Sequence, residues 1–305
     1  MQRIIVTGGN RGLGFGIARH LAAMPDHEVV LAVRDPEAGR QAAARLGGHA
    51  SYRELDLADA ASVDRFIDAI DGPVAGLVNN AGIQIANETR HTDAGVEETF
   101  AVNHLNALKL TLGLQERLSG GRVMFIGSGT HHPRHPTATR FGFRGEQYRS
   151  ISNCAEGLNT SGDIDQLGKD RYATTKFLNL VTTVELARRF DPEELFVLCL
   201  DPGLMPGTDL ARTAPAFLRF GWHYVLPIVA RVLPDSSTPD RSGRAGAWLM
   251  TAPTGELNHG GIYSYDRRLS GRVEKRVFDD EIGRRVLDDS LALLSRCPAP
   301  PARAA

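Results

Sequence analysis

Short strand-like runs, most of them apolar, punctuate the chain at residues 3–7, 28–33, 50–54, 76–79, 122–126, 195–200 and 261–264. Each is too short for a helix and is bounded by polar or glycine-rich residues, so each predicts a strand. Longer stretches with helical spacing lie between them, beginning near Gly14, Pro36, Ala60, Gly95, Tyr172 and Ala245. Strands alternating with helices predict βαβ units and a mainly parallel sheet. The apolar runs are continuous rather than alternating, as expected of a sheet covered on both faces. The expected fold class is α/β: a doubly wound, mainly parallel sheet of about seven strands with helices on both faces.

Two stretches interrupt this pattern. Residues 130–168 are polar and rich in Gly, Ser, Asn and Arg, too long for an ordinary loop, and read as an insertion. Residues 206–239 carry Pro206, Pro215, Pro227, Pro234 and Pro239 among apolar and aromatic groups. The Pro/Ala-rich end, 296–305, is expected to fray. No repeat or linker is evident, so residues 1–295 are expected to form a single domain.

Composition narrows the classes. In a chain of 305 residues, 42% hydrophobic content suffices for a packed core. A net charge of -1 gives no overall electrostatic footprint for nucleic acid. Cys154, Cys199 and Cys297 are few and widely spaced, which disfavours a disulfide framework or a zinc site. The chain runs at once into the strand-like Arg3-Ile4-Ile5-Val6, without the pattern of a secretory signal. No long uninterrupted apolar stretch predicts a membrane span. A cytoplasmic location is expected.

The first strand leads into Thr7-Gly8-Gly9-Asn10-Arg11-Gly12-Leu13-Gly14, ahead of the first helix. Gly8 suits a tight exit from the strand, Gly12 a close backbone approach to a pyrophosphate, and Gly14 close packing of helix on strand. The helix N-terminus adds N–H donors for an anion. This arrangement points to a Rossmann-type dinucleotide site. At the end of the second strand, where an acid would bind the ribose 2′-hydroxyl of NAD, stand Val33 and Arg34. With Arg11 in the turn, two guanidiniums would suit a 2′-phosphate, which favours NADPH/NADP+. The alternative is that Arg34 pairs with Asp35 or Glu37 on the surface. Asp56-Leu57 follows the third strand, where Asp56 could reach the adenine amino group.

Tyr172 and Lys176 stand four apart and share a helix face. A nearby ammonium is expected to lower the pKa of the phenol and fit it for proton transfer to a carbonyl oxygen. Other candidates follow strand ends: Asn79-Asn80-Ala81-Gly82 after the fourth, Ser128 after the fifth, Asp201-Pro202-Gly203 after the sixth. Asn103 lies in a helical pattern after the fourth strand. In an open parallel sheet, strand carboxyl ends line the ligand crevice.

Taken together, these motifs resemble the short-chain dehydrogenase/reductase family over roughly residues 2–210. The resemblance implies Tyr172 as proton donor, Ser128 as hydrogen-bond partner of the substrate oxygen, and Lys176 as ribose ligand. It implies that Asn103 holds a water in a proton relay. Gly8, Asn10, Arg11, Gly12, Leu13, Gly14, Arg34, Asp56 and Leu57 would bind the cofactor. So would Asn80, Ala81, Gly82, Pro202, Gly203 and Thr208. Within the family, the Tyr-Ala-Thr-Thr-Lys helix and the 44-residue step from Ser128 to Tyr172 resemble the protochlorophyllide reductase and retinol dehydrogenase branch. So does the late Gly260-Gly261-Ile262-Tyr263-Ser264-Tyr265 segment with its helical tail.

The insertion and residues 206–239 are expected to flank the substrate side. Phe217, Leu218, Phe220, Trp222, Tyr224, Val225 and Leu226 would form an apolar wall, implying a bulky hydrophobic or aromatic substrate. Packing on the body of the domain is the other reading of these residues. Arg219, His223 and Arg231 interleave with them, but the prolines disfavour a long amphipathic helix at a membrane surface. His131, His132 and His135 cluster without a second group at ligand spacing, so no metal site is expected. The function expected is NADPH-dependent reduction of a carbonyl or activated C=C. The alternatives are alcohol oxidation with NAD(P)+ and a non-catalytic NADP(H)-sensing regulator. Family members often associate, so an oligomer is open.

Overall fold

The computed structural model describes residues 1–158, 162–205 and 235–296. The strands are β1 (Gln2–Thr7), β2 (His27–Val33), β3 (Ala50–Glu54), β4 (Gly76–Asn79), β5 (Gly121–Ile126), β6 (Leu195–Asp201) and β7 (Ile262–Ser264). They form one seven-stranded sheet in the order β3-β2-β1-β4-β5-β6-β7, and every pair is parallel. Central strands are buried on both faces, which explains their unbroken apolar runs. The edge strand β3 differs: Ser51, Tyr52, Arg53 and Glu54 are exposed, in keeping with their polarity.

Along the chain the helices are α1 (Gly12–Ala22), α2 (Pro36–Leu46), α3 (Ala60–Asp68), α4 (Glu98–Phe100) and α5 (Asn106–Gly113). A π-helical turn, Ala101–Leu105, joins α4 to α5. Then come α6 (Pro136–Arg140), α7 (Ile151–Glu156), α8 (Ile164–Arg189), α9 (Pro239–Thr251) and α10 (Asp280–Arg296). Side chains alternate across the sheet into two cores. Ile5, Leu77, Val123, Phe125 and Val197 meet Phe66, Leu108, Phe177 and Val286 from α3, α5, α8 and α10. Ile4, Val6, Val78, Met124 and Leu198 meet Ile17, Ala42 and Leu249 from α1, α2 and α9.

Two helices begin well before the sequence expectation. α8 starts at Ile164, not near Tyr172, because the Asp163 carboxylate accepts from Gln166 N at 2.8 Å and caps it. α9 starts at Pro239, not near Ala245, with Thr238 accepting from Arg241 N at 3.1 Å and proline in the first turn. Their opening turns are polar, so apolar spacing detects them late. The helix expected near Gly95 begins at Glu98, where the Glu97 carboxylate caps Phe100 N at 2.7 Å.

The insertion is built from α6, α7 and the first turn of α8 rather than from loop alone. Arg144 grips Asp170 of α8, with Nε 2.9 Å from Oδ2. Gln147 N donates to Thr174 Oγ1 at 2.9 Å, and Glu97 N to Ala155 O at 2.7 Å. Cys154 and Cys199 are buried and form no disulfide among the described residues. Among the described residues, no helix is long and apolar enough to cross a membrane.

α1 and α9 cross on bare backbone. A methyl at Gly243 would lie 2.5 Å from the Gly16 carbonyl carbon, and one at Gly16 would run into the Pro239 carbonyl. Gly16→Ala, which stabilises most helix interiors, is expected here to destabilise the protein by about 1–3 kcal/mol through overpacking. Urea unfolding measures this, and a rise in the midpoint would contradict it.

Candidate functional site

The chain runs outward from β1 to β3 and then crosses back to β4. At this switch point the connections after β1 and β4 leave in opposite directions and open a crevice at the strand carboxyl ends. The cleft there has a volume of about 1750 Å³.

At one end lies the glycine turn. Gly8 has φ +62°, a left-handed conformation that favours glycine. A methyl at Gly14 would lie 2.6 Å from Gly8 O and collide with the Asn80 amide, so the turn folds back on the strand only because that position is bare. Thr7 fastens the turn to the loop after β4: its hydroxyl accepts from Asn80 N and Ala81 N, both at 2.9 Å, and donates to Val78 O at 3.2 Å. Asn80 Nδ2 answers by donating to Thr7 O at 2.8 Å. Sequence reasoning missed Thr7. A polar residue ending an otherwise apolar central strand is the signal that would have found it.

Gly8, Asn10, Arg11, Gly12 and Leu13 line the cleft, with Arg34, Asp56, Leu57, Asn80, Ala81 and Gly82 beyond them. Arg34 is exposed and makes no ion pair among the described residues. Its two neighbouring acids are engaged elsewhere. Asp35 caps α2 through Glu37 N and Ala38 N, and Glu37 pairs with Arg40 at 2.6 Å. Asp56 Oδ1 accepts from Ala58 N at 2.9 Å.

At the other end stand Ser128, Tyr172, Lys176, Pro202 and Gly203. Tyr172 sits on the third turn of α8 and is 7% exposed. Its hydroxyl makes no hydrogen bond among the described residues, and its ring lies 6.1 Å from that of Phe143. Lys176 Nζ donates to Ile126 O at 3.1 Å and stands 5.5 Å from the Tyr172 ring centroid. Burial pulls Lys176 down to about 8, against the pull of Cys199 and Asp201 upward. Burial, aided by the Asp201 carboxylate, pushes the Tyr172 phenol up. This corrects the sequence expectation that the ammonium would bring the phenol down. The ammonium is spent on a backbone carbonyl, and desolvation outweighs its attraction.

Asn103 stands behind the cleft, 2% exposed, in the π-helical turn. Its Oδ1 accepts from Ile83 N at 2.7 Å, and its Nδ2 donates to Ile83 O at 2.9 Å and Thr175 Oγ1 at 3.1 Å. It therefore clamps the loop after Gly82 to α8. Ser128 Oγ accepts from Thr130 N at 3.3 Å, which leaves its proton to donate. The Ser128 carbonyl is 2.6 Å from His131 Nδ1, and His131 Nε2 accepts from Glu274 N at 3.2 Å. These partners require the neutral tautomer with the proton on Nδ1. Burial lowers the affinity of His131 for a second proton, in agreement. Of the clustered histidines, His131 is thus a strut, and His135 lines the cleft. No group of three or more His, Cys, Asp or Glu among the described residues is arranged to hold a metal. Thr208, the apolar wall at 217–226, Arg231 and Cys297 lie outside the described residues.

The model of the short-chain dehydrogenase family matches residues 2–141. The family match, the strand order and the cleft agree. This chain is similar to the short-chain dehydrogenases/reductases.

The short-chain dehydrogenase/reductase match ends before Tyr172, but longer relatives carry the likeness through α8. The chain is 27% identical over 319 residues to the chloroplastic protochlorophyllide reductase of Pisum sativum, spanning 95% of this chain and 77% of that protein. It is 39% identical over 137 residues to the "Probable oxidoreductase" of Streptomyces lividans. That match spans 43% of this chain and only 46% of the relative. Among solved structures, an uncharacterized protein from Mycobacterium Paratuberculosis superposes with a TM-score of 0.69 at 27% identity, covering 98% of this chain and 95% of that one.

Proposed function

We propose that this chain is an NADPH-dependent reductase of the short-chain dehydrogenase/reductase type, acting on a carbonyl, or an activated C=C, of a bulky, largely apolar small molecule. The observation that carries this reading is the continuity of one cleft from the glycine turn to Tyr172 and Ser128. The residues present fit a dinucleotide. A methyl at Gly12 would meet nothing within 4 Å, so backbone lies open to the cleft beside the α1 N-terminus. Arg34, without a counterion among the described residues, suits a 2′-phosphate. When bound, the dihydronicotinamide supplies the hydride.

The chain's own residues supply the proton and the orientation. Ser128 donates to the substrate oxygen. The Tyr172 phenol, held protonated by burial and Asp201, gives its proton to that oxygen as negative charge develops there. A phenol that keeps its proton is in the form that reduction requires. Lys176 donates to the ribose, Asp56 to neither phosphate nor ribose but accepts from the adenine amino group, and Asn103 holds the Ile83 loop in place.

The reading is tested by NADPH oxidation with a panel of bulky ketones and quinones. Turnover supports it, whereas tight NADPH binding with no turnover across the panel favours a sensor. The Lys176 ammonium adds a pH dependence. Lost as pH rises through about 8, it should raise the KM for NADPH there, whereas an ordinary lysine keeps its charge to roughly pH 10.4. Initial rates across this range decide the point, and a KM flat to pH 10 would refute it. For stability the sign is opposite. Charging buried Lys176 costs the fold below pH 8, and that cost is relieved as pH rises toward the ordinary lysine value.

A further inference from the structure

Lys169 is a half-buried cation in the cleft wall, and it has neither a hydrogen bond nor an ion pair among the described residues. It lies on α8, three residues before Tyr172, and so on the same helix face. A methyl at Gly142 would lie 2.7 Å from Lys169 Nζ, so the ammonium rests against the turn that carries Phe141 and Phe143. Both rings line the cleft, and the Phe143 ring is the one 6.1 Å from Tyr172.

The other charges nearby do not serve Lys169. Asp170 is held by Arg144. Asp165, one turn earlier on α8, also lines the cleft and forms no ion pair among the described residues. Arg272, also in the cleft, is paired with Asp235 at 2.6 Å. A half-buried ammonium in a cleft wall, with no partner among the described residues, is a ready site for an anion. An anionic group on the ligand would meet it with charge-assisted hydrogen bonds.

We infer that Lys169 is a specificity-determining residue that receives a carboxylate of the substrate, whose aromatic or apolar body lies along Phe143 with its reducible carbonyl at Tyr172. This deepens the reductase reading and rests on it for the placement of the carbonyl. The reduced compound is thus a keto acid in which an apolar body separates the two groups. Cβ atoms three residues apart on a helix are about 5–6 Å apart, which sets the scale of that separation.

Calorimetric binding of 4-benzoylbenzoate and its methyl ester, with saturating NADP+ present, tests the subsite without requiring turnover. The wild type should bind the acid at least about tenfold more tightly than the ester, as a charge-assisted contact provides. Lys169→Gln should reduce the acid to the level of the ester and leave the ester unchanged, and Lys169→Arg should retain the preference. Because Lys169 bonds to no described residue, melting temperatures of the variants should match the wild type. No preference for the acid in the wild type, including no binding of either compound, overturns the subsite, as does an equal loss of both ligands in Lys169→Gln. Lysine-dependent binding without NADPH oxidation would instead overturn the reductase reading and leave the carboxylate site standing.

Discussion

Tyr172→Phe is expected to lower kcat/KM for a reducible ketone by about 10²–10⁴-fold, the span that general acid catalysis contributes. The loss should fall on kcat. The hydroxyl bonds to no described residue, so its removal breaks no internal contact, and the ring keeps its place between Phe143 and Lys176. Stability and NADPH affinity should therefore stay close to the wild type. The measurement is steady-state NADPH oxidation beside an equilibrium titration of NADPH. Equal kcat in the two proteins would remove the phenol from the chemistry. A parallel collapse of cofactor affinity would recast Tyr172 as a binding residue.

The second large effect concerns the choice between the two dinucleotides. Arg34→Ala should weaken NADPH about 10–100-fold, the worth of hydrogen bonds between charged partners, and leave NADH within about twofold. Arg34 is exposed, so the loss belongs at the lower end and should shrink in high salt. Fluorescence titrations of both dinucleotides at two salt concentrations separate the outcomes. Losses of the same size for NADPH and NADH would dissociate Arg34 from the 2′-phosphate. The engagement of Asp35 at the α2 cap and of Glu37 with Arg40 keeps Arg34 available, so Glu37 is no competitor for it.

Much of this arrangement could be read from the chain because it is local. The strands announce themselves through apolar runs, since a parallel sheet buries both faces. The glycine turn and the Tyr172–Lys176 spacing are likewise short-range patterns. What escaped depends on contacts between distant segments. Nothing near Ile164 shows apolar periodicity, and only the Asp163 cap betrays the true start of α8. The insertion reads as loop because α6 and α7 are short and held by partners such as Asp170 and Thr174 on another helix. The rise in Tyr172 could not be anticipated either. It arises from burial and from Asp201, which the fold brings in from the end of β6. Asn103 stands out in the sequence by its helical position after the fourth strand, but its grip on Ile83 required the loop after β4 to be in place.

The bridge from the Ser128 carbonyl through His131 to Glu274 N ties the heart of the molecule to a stretch of chain near its far end. A protein shortened before that stretch would retain all seven strands and still lack the distal anchor of the Ser128 turn. Changes in that late stretch thus reach Ser128 through the His131 imidazole. Residues that look dispensable by their distance from the crevice help to aim the hydroxyl within it.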